Sequence, residues 1–242
     1  MRLARTLAVA ALLSGLASAE AAEPWLDVLE DDGIRVSQRV GPGRALPEFR
    51  AVAEIAASRW QVLAVIVDIP NQPKWMHRLS EARVIRTKAQ TGSPLGAVFY
   101  LRMDLPWPVS DRDVVLESDT DFPDEGRSVT RFARASHAEH EPIEGVIRMP
   151  RLRGHYALTA LAPDRTRVEY QVDADPGGSL PSWLVTRVSR DDPWYTLKDL
   201  RARVAAAHAE YAEFVRQWDP RRDPRRNPRR DPRRDPRGAA GP

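Results

Sequence analysis

Few side chains in this sequence stand in spacings that do chemistry. His137 and His140, with Glu139 and Glu141, offer imidazole and carboxylate ligands of the kind a metal takes. Nothing nearby completes a closed site, so a solvated polar loop is the plainer reading, and neither a metal nor a cofactor is expected. Cysteine is absent, which removes thiolate chemistry, disulfides and a lipidated cysteine. Glu117 and Asp119 lie two apart, on one face of a strand, and read as exposed pairing partners rather than an acid–base couple. No Gly-x-Ser-x-Gly elbow, phosphate loop or dinucleotide fingerprint occurs. Catalysis is therefore not expected. What remains is Arg112, set in Asp111-Arg112-Asp113 just ahead of Val114-Val115. A charged triplet entering a β-branched run implies a buried or half-buried ion pair near the start of a strand.

The elements around Arg112 follow from periodicity. Phe99, Leu101, Met103 and Leu105 alternate with Tyr100, Arg102 and Asp104, the pattern of a strand with two unlike faces. Pro106 and Pro108 end that strand around Trp107, and a second strand starts after the corner. Upstream, a short helix over Trp25–Glu30 precedes a strand over Gly33–Val40, a turn at Gly41-Pro42-Gly43 and a partner strand over Phe49–Ala57. Ser58 caps a helix bearing Trp60, Leu63 and Val67, which Asp68–Pro73 ends; a helical turn over Lys74–Leu79 and a strand at Val84–Ile85 come next. Downstream, strands are expected over Ser128–Ala135, Gly154–Leu161 and Val168–Val172, with Pro142 and Pro150 delimiting an edge loop. After the flexible joint Gly177-Gly178, apolar residues recur at Leu184, Val188, Leu197, Leu200, Val204, Ala207, Tyr211 and Phe214. They predict one final helix, kinked or loosened by Pro193. The class is α+β.

At 242 residues and 42% hydrophobic content, the chain supports one good-sized core. Mean hydropathy of −0.48 fits a soluble domain. Residues 1–19 combine Arg2 and Arg5, an apolar run from Leu7 to Leu16 and Ala17-Ser18-Ala19: a secretory signal peptide, hence a periplasmic or secreted protein. From Asp219 to Pro242 a DPRR repeat carries nine Arg against four Asp and nothing to bury, so a disordered basic tail is expected. Leader and tail account for more than the formal net charge of +3, leaving residues 20–218 mildly acidic. The high pI is thus no sign of a nucleic-acid partner, and a solvated extension or transient contact with an anionic membrane is the expected use of the tail.

The run PWPVSDRDVV, followed by Leu180-Pro181-Ser182-Trp183-Leu184-Val185 and by Pro193 with Leu197-Lys198-Asp199-Leu200, resembles the START (steroidogenic acute regulatory protein-related lipid transfer) family. The likeness spans roughly Trp25–Trp218 and places a START lipid-binding domain at 24–218. It implies the helix-grip fold, a curved antiparallel β-sheet around a long C-terminal α-helix with an internal hydrophobic tunnel, and an Ω-loop over the tunnel mouth around 140–153. It also implies a non-catalytic, monomeric lipid-binding or lipid-transfer protein holding one hydrophobic ligand. Arg112 matches the family's RD-motif arginine and would anchor the ligand's polar end. The alternative is that it ties down the proline corner through Asp113 or Asp104. Tyr100, Arg102, Tyr156 and Tyr170 lie on strands and could point inward or away; with Met149, and with Leu184 and Val188 closing the tunnel, they complete the expected ligand-binding set. In the phosphatidylcholine-binding branch, an Arg stands where this chain has Gln72, and the choline-cage aromatics align to Leu101, Val114 and Leu152. A sterol, fatty acyl chain or polyisoprenoid suits such a tunnel better than phosphatidylcholine. The alternative from another class is an enzyme of the polyketide cyclase type, which shares the helix-grip fold.

Overall fold

Alternating apolar positions build one large sheet, and a helix at the end of the chain closes it. In the computed structural model, residues 23–221 are described, apart from 42–43, 45, 137–139, 179 and 181 and the side chains of 91 and 182–189. The strands are β1 (Leu26–Asp31), β2 (Ile34–Arg39), β3 (Glu48–Ile55), β4 (Leu79–Thr87), β5 (Ala97–Met103), β6 (Arg112–Asp124), β7 (Arg127–Arg134), β8 (Ile147–Arg148), β9 (Arg151–Ala162) and β10 (Arg165–Asp175). Their order is β1-β2-β3-β10-β9-β7-β6-β5-β4, all antiparallel, with β8 alone parallel beside β6. Helices α1 (Arg59–Val67), α2 (Ser182–Ala206) and α3 (Ala212–Trp218) complete the fold. Among the described residues no helix is long and apolar enough to cross a membrane.

Register decides which residues face inward. Pairing of Phe99 with Leu116 and of Leu101 with Val114 puts these four in one buried cluster with Met149. Tyr100 pairs with Val115 and falls on the opposite face, buried with Val98 and Ala135 and covered by Ile143. Both faces of β5 are therefore covered. On the concave side, α2 packs against β2, β3 and β10. Leu197, Leu200 and Val204 are buried in one cluster with Val36, Phe49 and Ala51. Burying a leucine contributes about 2 kcal/mol, so this stripe holds the helix to the sheet without specific polar contacts.

Ser58 caps α1 through a capping box: its Oγ accepts from the Gln61 amide at 3.3 Å, and Gln61 Oε1 accepts from the Ser58 amide at 2.9 Å. Two sequence expectations need correction. Trp25–Glu30 is not helical; Leu26–Asp31 pairs with β2 as an edge strand, because cross-strand hydrogen bonds outweigh its weak local helical preference. The final helix is two, since α2 ends at Ala206 and α3 begins at Ala212, while α2 runs continuously through Pro193. Packing of the Leu197–Leu200 face offsets the backbone bond that the proline removes.

Candidate functional site

Between the concave face of the sheet and α2 lies an internal cavity of about 200 Å³. Phe49, Phe99, Leu101, Leu116, Leu152 and Val172 supply much of its wall. Leu105, Pro106 and Val109, on the corner joining β5 to β6, also line it, while Trp107 on the same corner is 92% exposed. From the other side come Asp192, Pro193 and Thr196 of α2.

Arg112 opens β6 and is only 2% exposed. Each of its nitrogens faces a backbone carbonyl: Nε donates to Pro176 and Nη2 to Gly177, both at 3.1 Å, and Nη1 to Ser110. Gly177 and Gly178 have φ of +64° and +68°, the left-handed conformation that glycine adopts without penalty. That conformation shapes the joint between β10 and α2 around the guanidinium. Burial lowers the Arg112 pKa, opposed by Asp111. Neither Asp113 nor Asp104, the carboxylates expected to pair with it, does so. Arg148 holds Asp113 with two bonds, at 2.6 and 3.1 Å, while Asp104 accepts from Ser80 Oγ and lies 4.0 Å from Arg102 Nε. Arg102 also holds the neighbouring Asp111 at 2.6 Å. Arg112 thus lines the cavity and also pins the joint that leads into α2.

Of the other residues picked out by sequence, Met149, Tyr156 and Tyr170 line the same cavity. Tyr156 and Tyr170 stack at 4.5 Å between ring centroids. Tyr100 and Arg102 do not line it, and the expectation that they point inward is corrected. The alternation that sends Phe99, Leu101 and Met103 to the wall sends these two to the far face. There, the Tyr100 ring stacks on His140 at 4.1 Å, and burial, with Asp113 nearby, pushes the Tyr100 pKa up to about 12. The side chains of Leu184 and Val188 lie outside the described residues. So do residues 137–139 of the His137/His140 group; among the described residues no cluster of three or more ligands could hold a metal. Glu117 and Asp119 both approach Lys88, at 3.9 and 2.5 Å.

Three cavity residues escaped the sequence reading as site residues. Gln72, which stands where the phosphatidylcholine-binding branch has an Arg, is buried on the wall, with Nε2 donating to the Ile66 carbonyl at 3.0 Å. His77 stacks on Tyr195 at 4.4 Å, and burial lowers its pKa. Asp192 is the third. Burial pushes its pKa up to about 6 against the pull of Arg78, whose Nη1 is 3.7 Å from Oδ1. A signal for it existed: Leu184, Val188, Asp192 and Thr196 recur every four residues, the spacing of one helical face.

The START domain model matches residues 8–210. An uncharacterized Pseudomonas aeruginosa protein, PA1579, is 34% identical over 198 residues, covering 82% of this chain and 95% of its own. Rat phosphatidylcholine transfer protein is 25% identical over 180 residues, covering 73% of this chain and 81% of its own. Among solved structures, the STAR-related lipid transfer protein of Xanthomonas axonopodis (fragment 25–204) superposes with a TM-score of 0.68 at 30% identity, covering 76% of this chain and 99% of that one. The Zhui aromatase/cyclase from Streptomyces is more distant, with a TM-score of 0.50 at 12% identity over 66% of this chain and 94% of its own, a likeness of fold alone. The matched model, these relatives and the helix gripped by a curved sheet agree: this chain belongs to the START domain family.

Proposed function

We propose that this protein holds one hydrophobic lipid in the cavity between the sheet and α2 and transfers it between membranes, after export to the periplasm. The observation that carries this reading is the cavity itself, largely apolar and bordered by an exposed apolar corner. Each methylene taken from water contributes about 0.8 kcal/mol, so such a wall retains a long-chain or polycyclic lipid with few specific contacts. A sterol, fatty acyl or polyisoprenoid cargo fits better than phosphatidylcholine. Gln72, Leu101 and Leu152 line the cavity and Val114 is buried beside Leu101, so the positions that would hold phosphate and choline carry an amide and three aliphatics. In a vesicle assay, phosphatidylcholine should move no faster than cholesterol or a fatty acid.

An enzyme of the cyclase type is the second reading, supported by the Asp192 carboxyl on the wall, whose pKa of about 6 suits a general base. Native mass spectrometry of the mature protein from its own host separates the two. Recovery of one intact lipid per chain is expected. A protein that arrives empty and transforms an added cyclic or polyketide-like compound would overturn the lipid-carrier reading.

A further inference from the structure

Among the described residues of the cavity wall, buried acceptor oxygens stand without a hydrogen-bond donor. The wall's cationic side chain, Arg112, already donates from every nitrogen to the carbonyls of Ser110, Pro176 and Gly177. The His77 ring stacks on Tyr195, and burial favours its neutral form, which keeps one donor and one acceptor nitrogen. Acceptors, by contrast, stand open. Gln72 is 6% exposed, and its Oε1 is buried without a hydrogen-bond partner. The Tyr156 hydroxyl, on a residue 5% exposed, lies beside Tyr170 and can accept as well as donate. Asp192 leaves 41% of its side-chain surface accessible and lines the cavity, but its Oδ1 is sealed and unpartnered. Arg78, which pairs with that oxygen electrostatically, is 3.7 Å away, beyond hydrogen-bond reach, and does not line the cavity. Tyr170 links the group, since it stacks on Tyr156 and lies within the electrostatic reach of Asp192.

We propose that the cavity selects a lipid whose polar end donates a hydrogen bond, an alcohol or a protonated amine, and that Asp192 receives it beside Tyr170 and Tyr156. Gln72 provides a second acceptor on the same wall. A buried acceptor is costly without a donor, and a ligand hydroxyl or ammonium removes that cost. A carboxylate or phosphate head would instead bring a like charge against the Asp192 carboxylate. The inference rests on the lipid-carrying reading and narrows it.

The test uses four C16 probes that differ only at the head: hexadecanol, hexadecylamine, palmitate and hexadecane, titrated at pH 8 into the full mature chain. Hexadecanol or hexadecylamine should bind at least about tenfold tighter than palmitate and hexadecane, the weight of one hydrogen bond to a charged group. Asp192→Asn tells the two donors apart. The amide still accepts from a hydroxyl, so preference for the alcohol survives, whereas preference for the amine falls by about tenfold with the lost charge. Asp192→Leu should remove both preferences while hexadecane still binds. Palmitate or hexadecane binding as tightly as the alcohol and the amine would overturn the proposal and leave the lipid reading standing. Failure of all four to bind would overturn both. The ranking on the unmodified protein decides the matter even if a variant misfolds.

Discussion

Removing the Arg112 guanidinium would strand three carbonyl oxygens, those of Ser110, Pro176 and Gly177, around a residue almost wholly out of water. Arg112→Met should therefore destabilise the fold by about 2–4 kcal/mol, a melting drop of roughly 5–15 °C for a domain of this size. Affinity for lipid in the fraction that stays folded should change little. A stable variant with weakened binding would instead make Arg112 the ligand's anchor. Asp192 gives a prediction of opposite character. Its folded pKa is raised to about 6 from an ordinary 3.8, so between those values the folded state holds the extra proton. Stability contributed by the protonated carboxyl is thus present below about pH 4 and lost as pH rises through 6. Chemical denaturation at pH 5 and pH 8 should show the wild type losing about 1 kcal/mol more than Asp192→Asn over that interval. That figure is well below the full shift because part of the side chain is hydrated. A pH-independent difference would place Asp192 in free water. Arg112 was legible in sequence as a buried pivot, since a charged triplet before Val114-Val115 has few other uses. Its partners were not, because backbone carbonyls leave no trace in residue type.

At the scale of elements, the corner between β5 and β6 carries the clearest consequence. Leu105, Pro106 and Val109 touch the cavity while Trp107 stands in solvent beside them. An exposed indole beside residues that line an apolar interior suits the membrane–water boundary, where one end is apolar and the other wet. Trp107→Ala should lower vesicle binding and the transfer rate by about tenfold, with unchanged affinity for a lipid supplied in solution. Equal loss of both would mean that the corner shapes the cavity instead. The two strands of this corner were readable from strict alternation, as was the Ser58 cap from its spacing to Gln61. The same alternation already excluded Tyr100 and Arg102 from the wall. What hid this was that β5 is buried on both sides, so hydrophobicity alone marks neither face as interior. The β1 strand was unreadable for a different reason: its order comes from pairing with β2, a contact that short polar-apolar segments do not announce.

For the molecule as a whole, the DPRR run adds charge without adding core. Truncation after Arg221 should leave the melting temperature and lipid affinity unchanged, while binding to anionic vesicles weakens and loses its salt dependence. Unaltered vesicle binding would assign the tail to the solvated role. Where the tail departs matters as much as its charge. Asp219, 2% exposed, is clasped by Arg221 at 3.0 Å, and Trp218 stacks on Phe122 near the far end of β6. Arg112 and the proline corner lie at the opposite end of that strand, ten residues or about 30 Å away. The 21 residues beyond Arg221 reach at most about 70 Å when extended. The root of the tail at Arg221 and the proline corner therefore sit at opposite ends of β6. Because the tail's reach is about twice the length of the strand, a tail moored to one leaflet would leave the body free to turn its corner toward that surface or toward a second one.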